Sequence, residues 1–155
     1  MPEFVRALEQ TALAQALGES VWLYPLVNAG HILGIALLVG GIVPLDLRLL
    51  GLWKALPLAP FWRVLRVSAA TGLALAIVTG SLLFLTRASD YLESVWFQSK
   101  LLVILASLVN IAVVMARYGS VVENGGVTAG LRASALISLC GWIMALLLGR
   151  LVGYF

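Results

Sequence analysis

This sequence has few charged residues. Only 11% of its residues are Asp, Glu, Lys or Arg, 62% are hydrophobic, and the mean hydropathy is +1.05. A water-soluble domain needs a largely charged surface, so this composition excludes one. The net charge of +3 is small and is no argument for nucleic acid as a partner. The chain is therefore expected to be an integral membrane protein whose main partner is the lipid bilayer.

Side chains that bind metals or form disulfides are equally scarce. The chain has one cysteine, Cys140, and one histidine, His31. A single cysteine excludes an intramolecular disulfide and a Cys-x-x-Cys motif. The sequence also lacks zinc-type ligand spacing, a glycine-rich phosphate loop and internal repeats. Any functional site must therefore be built from the few polar residues inside the apolar segments.

What the sequence does contain is four long apolar stretches, over residues 22–50, 61–85, 94–116 and 128–152. Each reaches or exceeds the roughly 20 residues that a helix needs to cross the hydrocarbon core of a bilayer. Because lipid offers backbone groups no hydrogen-bond partner, these stretches must be helical. With short loops between them, they predict an all-α fold: one antiparallel four-helix membrane bundle, as a single domain over residues 1–155.

The N-terminal segment, residues 1–17, has a different pattern. Phe4, Val5, Leu8 and Ala12 mark a modest apolar side, while Glu3, Arg6, Glu9 and Gln10 are polar. This pattern predicts an amphipathic helix lying on the membrane surface. The segment lacks the basic start and continuous apolar core of a secretory signal, so the first span is expected to direct insertion.

The distribution of basic residues predicts the orientation. Six lie on the side of the first and third loops: Arg48, Lys54, Arg63, Arg66, Arg117 and Arg132. Four lie on the side that holds the second loop and both termini: Arg6, Arg87, Lys100 and Arg150. Since short cytoplasmic loops retain basic residues, both termini are predicted to face the periplasm of a bacterial inner membrane.

His31 is the most informative residue, because an ionisable ring inside the membrane is costly unless something binds it. Tyr24, Asn28 and His31 are spaced by four and three residues, which places them on one helical face. Trp96 and Lys100 follow the same spacing in the third span. The first and third spans cross the membrane in the same direction, so His31 and Lys100 are predicted to lie at similar depths.

One cofactor would suit both residues. The iron of a b-type haem accepts a neutral imidazole nitrogen, and its propionates accept a cation. His31 would be the metal ligand and Lys100 the propionate partner, in a protein of electron transfer or redox chemistry with a membrane redox partner or a second copy of itself. The other residues assigned to the pocket are Tyr24, Asn28, Gly34 and Trp96. The glycine could equally serve to pack a neighbouring helix.

Other interpretations stay open. His31 can instead hydrogen-bond across the bundle to a group such as Asn110 or a backbone carbonyl, in a cofactor-free scaffold or accessory subunit. Lys100 can extend to the membrane interface. Asp46 and Arg48, near the inner end of the first span, are expected to anchor at the headgroups or to pair locally.

Copper is the alternative metal. Soft copper(I) sites favour methionine, cysteine or several histidines. The spans supply Met115, Cys140 and Met144 beside the single imidazole. This set is a poor one, although Met144 lies at a depth that could reach His31.

The string WLYPLVNAGHILGIALLVGGIVPLDLRLLG, residues 22–51, resembles a family of uncharacterised bacterial four-helix inner-membrane proteins, over nearly the whole chain. More distantly, the G-x-x-x-x-x-x-T-G pattern at residues 72–80 and the W-x-x-x-K pattern at residues 96–100 are similar to HemJ-type protoporphyrinogen oxidases and copper-resistance D proteins. In the HemJ type the corresponding histidine and lysine are haem-linked, so the resemblance implies that role for His31 and Lys100. The further histidines of that pattern are missing here, so neither a second axial ligand nor the oxidase activity carries over.

Overall fold

The computed structural model describes residues 3–154 of the chain, and these residues form seven helices. In chain order they are α1 Glu3–Glu9, α2 Ala12–Glu19, α3 Leu23–Leu50, α4 Leu58–Thr86, α5 Ala88–Glu93, α6 Val95–Glu123 and α7 Ala129–Leu151. Four of them, α3, α4, α6 and α7, are long and apolar enough to cross a membrane. The predicted all-α four-helix membrane bundle is confirmed.

Some of the observed helices are longer than the predicted spans. The second span begins at Leu58 instead of residue 61, and the third continues to Glu123, well beyond residue 116. Hydropathy marks where the lipid contact ends, whereas a helix continues until a residue interrupts its backbone hydrogen bonds. After α6 that interruption comes at Gly125, whose φ of 77° is the left-handed conformation that favours glycine.

The N-terminal segment is helical but interrupted. Thr11 breaks it, because its hydroxyl accepts a hydrogen bond from the backbone N–H of Ala14 at 3.3 Å and so begins a new helix. Ala14, Val5 and Leu17 are buried, whereas Phe4 is 71% exposed. α1 and α2 pack against the end of α4 and against α5. Residues 1 and 2 of the predicted surface helix lie outside the described residues.

A side-chain hydrogen bond joins this segment to α5, in the loop between the second and third spans. The carboxylate of Glu9 accepts a hydrogen bond from the backbone N–H of Ser89 at 2.7 Å. Replacing Glu9 by alanine is expected to lower the free energy of local unfolding of α1 and α2 by about 1–2 kcal/mol, because a charge-assisted hydrogen bond is lost. Amide hydrogen exchange over α1 and α2 measures this. Glu19→Ala is the control, since that side chain is exposed, and equal exchange in the two variants would contradict the assignment.

Glycines let α3 and α4 approach closely, and these two helices make the most extensive contact in the fold. A Cβ atom added at Gly34 would lie 2.7 Å from the backbone nitrogen of Ala76. One added at Gly41 would lie 2.7 Å from the carbonyl oxygen of Leu65. Such distances leave no room for a side chain, so the two backbones are in direct contact, as small residues allow in membrane helices.

The hydrophobic core is concentrated where α3 ends and α4 and α7 begin. Its buried members are Leu45, Leu49, Leu58, Trp62, Val122, Leu131 and Ala135. A second cluster of buried side chains, nearer the middle of the bundle, consists of Leu38, Ile42, Trp142 and Ala145. His31 and Lys100 lie beyond this second cluster, towards the end of the bundle that holds the termini.

Candidate functional site

The imidazole of His31 is turned from α3 onto α4. Its Nδ1 lies 3.0 Å from the carbonyl oxygen of Ala76 and 3.2 Å from the hydroxyl oxygen of Thr79. A carbonyl only accepts, and the Thr79 hydroxyl donates its own proton to the carbonyl of Leu75 at 2.6 Å. Nδ1 must therefore carry the hydrogen. In the neutral ring the lone pair is then on Nε2, which has no hydrogen-bond partner in residues 3–154.

The ring lies against a glycine of α4. A Cβ atom added at Gly80 would lie 2.8 Å from Cε1 and 3.8 Å from Nε2 of His31. The imidazole therefore packs directly on the α4 backbone and is half-buried. Gly80 and Thr79 belong to the same short pattern at residues 72–80, and the structure gives both a physical role beside the histidine.

Lys100 is half-buried on α6 and reaches across towards α7. A Cβ atom added at Gly149 would lie 3.5 Å from the Cδ of Lys100, so the aliphatic stem passes beside that glycine. The ammonium lies 4.9 Å from the centre of the Phe97 ring. The ion pair found within residues 3–154 joins Arg87 to Asp90, and Lys100 takes part in none there.

The structure brings His31 and Lys100 into electrostatic range of each other. The charge of Lys100 acts on the imidazole across the space between α3 and α6. Both side chains are half-buried. The lone pair on Nε2 of His31 and the ammonium of Lys100, which has no acidic partner in residues 3–154, therefore lie in one region near the end of the bundle that holds the termini.

The other predicted pocket residues are less closely gathered. Tyr24 is half-buried. The burial of Tyr91, and after it the nearby phenol of Tyr24, raises the pKa of Tyr91 above its ordinary value. Asn28 and Trp96 are exposed. Asn28 is about 60° around the helix from His31, so α4 covers the histidine without covering the asparagine. Gly34 is buried against the α4 backbone, so helix packing accounts for its small size.

Asp46 is a residue that sequence reasoning misplaced. The expectation that it anchors at the headgroups is wrong, because it is only 5% exposed. The beginnings of α4 and α7 enclose it, since its neighbours Leu45 and Leu49 pack against both. The Ser138 hydroxyl interacts with the Asp46 carboxyl, and Oδ2 of that carboxyl has no hydrogen-bond partner. The spacing of residues along α3 could not predict this burial, because the burial of Asp46 depends on where the neighbouring helices begin.

Arg48, in contrast, pairs locally as expected. Its guanidinium donates to the carbonyl oxygen of Leu56 at 2.8 and 3.1 Å and to that of Lys54 at 3.2 Å. These bonds hold the first loop against the end of α3.

The soft donors that a copper site would need face outward. Met115 and Met144 are 40% and 47% exposed, and Cys140 is exposed as well. Within residues 3–154 there is no cluster of three or more His, Cys, Asp or Glu side chains that could hold a metal ion. The soft donors are therefore not gathered around the imidazole as a copper site would need.

Comparison with protein-family models, curated proteins and solved structures finds no match to this chain. The function is therefore inferred from the chemistry of its own residues.

Proposed function

We propose that this multi-pass integral membrane protein binds one b-type haem near the end of the bundle that holds its termini, for electron transfer or redox chemistry. His31 would be the axial ligand through Nε2, and Lys100 would neutralise a propionate. The observation that supports this most is the hydrogen bond from Nδ1 of His31 to the carbonyl of Ala76, 3.0 Å long. Metal-bound histidines commonly donate their second nitrogen in this way.

The remaining chemistry of the two residues fits the same ligand. The carbonyl of Ala76 orients the imidazole and increases the basicity of Nε2, while Gly80 gives the ring its place on α4. Lys100 supplies a cation that no carboxylate in residues 3–154 neutralises. When bound, the haem would supply a one-electron iron couple.

The direct test is optical. Protein purified from cells supplied with a haem precursor is expected to show a Soret band and to contain iron. The band is expected to vanish in His31→Ala, because the iron loses its ligand, and to weaken in Lys100→Ala. Lys100→Arg keeps the cation and serves as the matched control. A wild-type protein without the band would overturn the proposal.

A cofactor-free scaffold is the second candidate, and one observation favours it. The hydrogen bond to Ala76 and the contact with Gly80 let His31 join α3 to α4 without any ligand. In that case the purified protein is colourless, and His31→Gln folds normally because its amide can donate to the same carbonyl. Elemental analysis of one sample for iron and copper separates both candidates from a copper-handling protein.

We place the protein in a bacterial inner membrane with both termini in the periplasm. The support for this placement is the excess of arginine and lysine on the side of the first and third loops. The proposed haem would then lie near the outer face. Its electron partner would be a membrane redox protein or a second copy of this chain.

A further inference from the structure

A cavity of about 160 Å³ lies between the four spanning helices, at the other end of the bundle from His31. Its lining on α3 runs from Leu38 to Leu49, about 10 to 27 Å along the helix from the histidine. Its walls are mostly apolar and include Leu38, Ile42, Leu73, Ile111, Val114 and Ala135. An apolar cavity of this size holds one benzene ring.

Two unpartnered polar groups belong to the wall of this cavity. Asp46 and Trp62 both line it, and they are 5% and 4% exposed. Neither Oδ2 of Asp46 nor Nε1 of Trp62 has a hydrogen-bond partner. The third buried atom in this condition within residues 3–154 is Nε1 of Trp142, which does not line the cavity, although its ring packs with the wall residues Leu38 and Ile42. Because such groups are rare and costly, an acceptor and a donor at one cavity indicate a ligand that partners both.

Two other polar groups of the wall are engaged within the protein. The side-chain amide of Asn110 donates to the carbonyl of Ser134 at 3.0 Å, and the hydroxyl of Ser138 interacts with the Asp46 carboxyl. The guanidinium of Arg66 also lines the cavity but is exposed, so the enclosed hydrogen-bonding groups left for an occupant are mainly those of Asp46 and Trp62.

The cavity reaches the surface between α4 and α6. Three of its lining residues, Arg66 and Ala70 on α4 and Met115 on α6, are exposed. These two helices also pack against each other much less extensively than α3 packs on α4 or α6 on α7. A molecule dissolved in the bilayer could therefore enter sideways, without crossing the polar ends of the bundle.

We propose that this cavity binds a small lipid-soluble molecule with a hydroxyl group on an aromatic ring, of the phenol or quinol class. The ring occupies the apolar walls. A hydroxyl both donates and accepts, so it complements the carboxyl of Asp46 and the indole N–H of Trp62. An unsubstituted hydrocarbon ring leaves both groups unpartnered, and an ammonium partners only the carboxyl.

The experiment uses the full-length protein in detergent with ¹⁵N-labelled indoles, and phenol, toluene and benzylamine as probes. Phenol is expected to shift the indole N–H signal of Trp62 and not that of Trp142, each assigned by its Trp→Phe variant. After correction for partition into micelles, phenol is expected to bind about tenfold more tightly than toluene, the equivalent of one to two net hydrogen bonds.

Two variants test the polar contacts independently. Asp46→Leu and Trp62→Phe are each expected to weaken phenol binding several-fold and to leave toluene binding unchanged. Trp142→Phe, which removes an unpartnered indole N–H that does not line the cavity, is the matched control and is expected to change neither. The proposal is overturned if phenol leaves the Trp62 signal unmoved, if both cavity variants bind phenol normally, or if benzylamine binds more tightly than phenol. It is independent of whether haem is bound near His31.

Discussion

Replacing Gly72 by alanine is expected to destabilise the bundle by about 2–3 kcal/mol. A Cβ atom there would lie 2.6 Å from the carbonyl oxygen of Gly34 and 2.8 Å from the carbonyl carbon of Leu37, and it would also meet the backbone nitrogen of Leu38. All three contacts are backbone atoms of α3, which cannot rotate away as a side chain would. The two helices must therefore separate, and overpacking of this kind costs energy throughout the contact.

Gly40 provides the matched control for this prediction. It is also a glycine of the α3–α4 pair of helices, but a Cβ atom added there meets no heavy atom within 4 Å. Gly40→Ala is expected to be neutral or to stabilise by up to about 1 kcal/mol, because alanine favours the helix. Unfolding in mixed detergent, followed by circular dichroism, measures both variants. Equal stabilities would show that close approach of α3 and α4 is not what the glycine provides.

For the proposed haem, replacing Gly80 by alanine is expected to lower the binding affinity about tenfold or more, as loss of an orienting contact to a metal-bound histidine does. The added methyl group would lie 2.8 Å from Cε1 and 3.3 Å from Nδ1 of His31. The imidazole must then move away from the carbonyl of Ala76, which orients it. Titration of the purified apoprotein with haem, followed at the Soret band, gives the affinity.

Gly119 is the control for the second prediction. It lies on α6, and a Cβ atom added there has no heavy atom within 4 Å. Gly119→Ala is expected to bind haem as the wild type does. If Gly80→Ala binds haem with unchanged affinity, the orientation that α4 gives to the imidazole does not matter for haem binding. The proposed role of His31 as the iron ligand would then fail.

Much of the fold was predictable because lipid imposes simple rules. An apolar stretch of sufficient length must be a helix in a bilayer, so the four spans followed from hydropathy. The ends of helices depend on local features that hydropathy does not report. Thr11 divides the N-terminal segment by capping α2, and α6 continues to Glu123 after its apolar stretch has ended.

The candidate site was predictable in part, for a related reason. Spacing along two helices that cross in the same direction predicts the depth of His31 and Lys100, because the rise per residue is constant. It does not predict which neighbour each residue faces. Asn28 shares the general side of His31 in the sequence pattern, yet it is exposed because α4 covers only part of that side.

The amino-acid sequence by itself determined the class of the protein, its four membrane-crossing helices and the rarity of any group able to bind a metal. Only the tertiary structure decided that Nδ1 of His31 donates to Ala76 and that Asp46 is enclosed with an unpartnered oxygen. The physical reason is that hydrophobicity and length act on each helix separately. The rotation of one helix against another, and the closeness of their backbones, arise from packing between residues far apart in the chain.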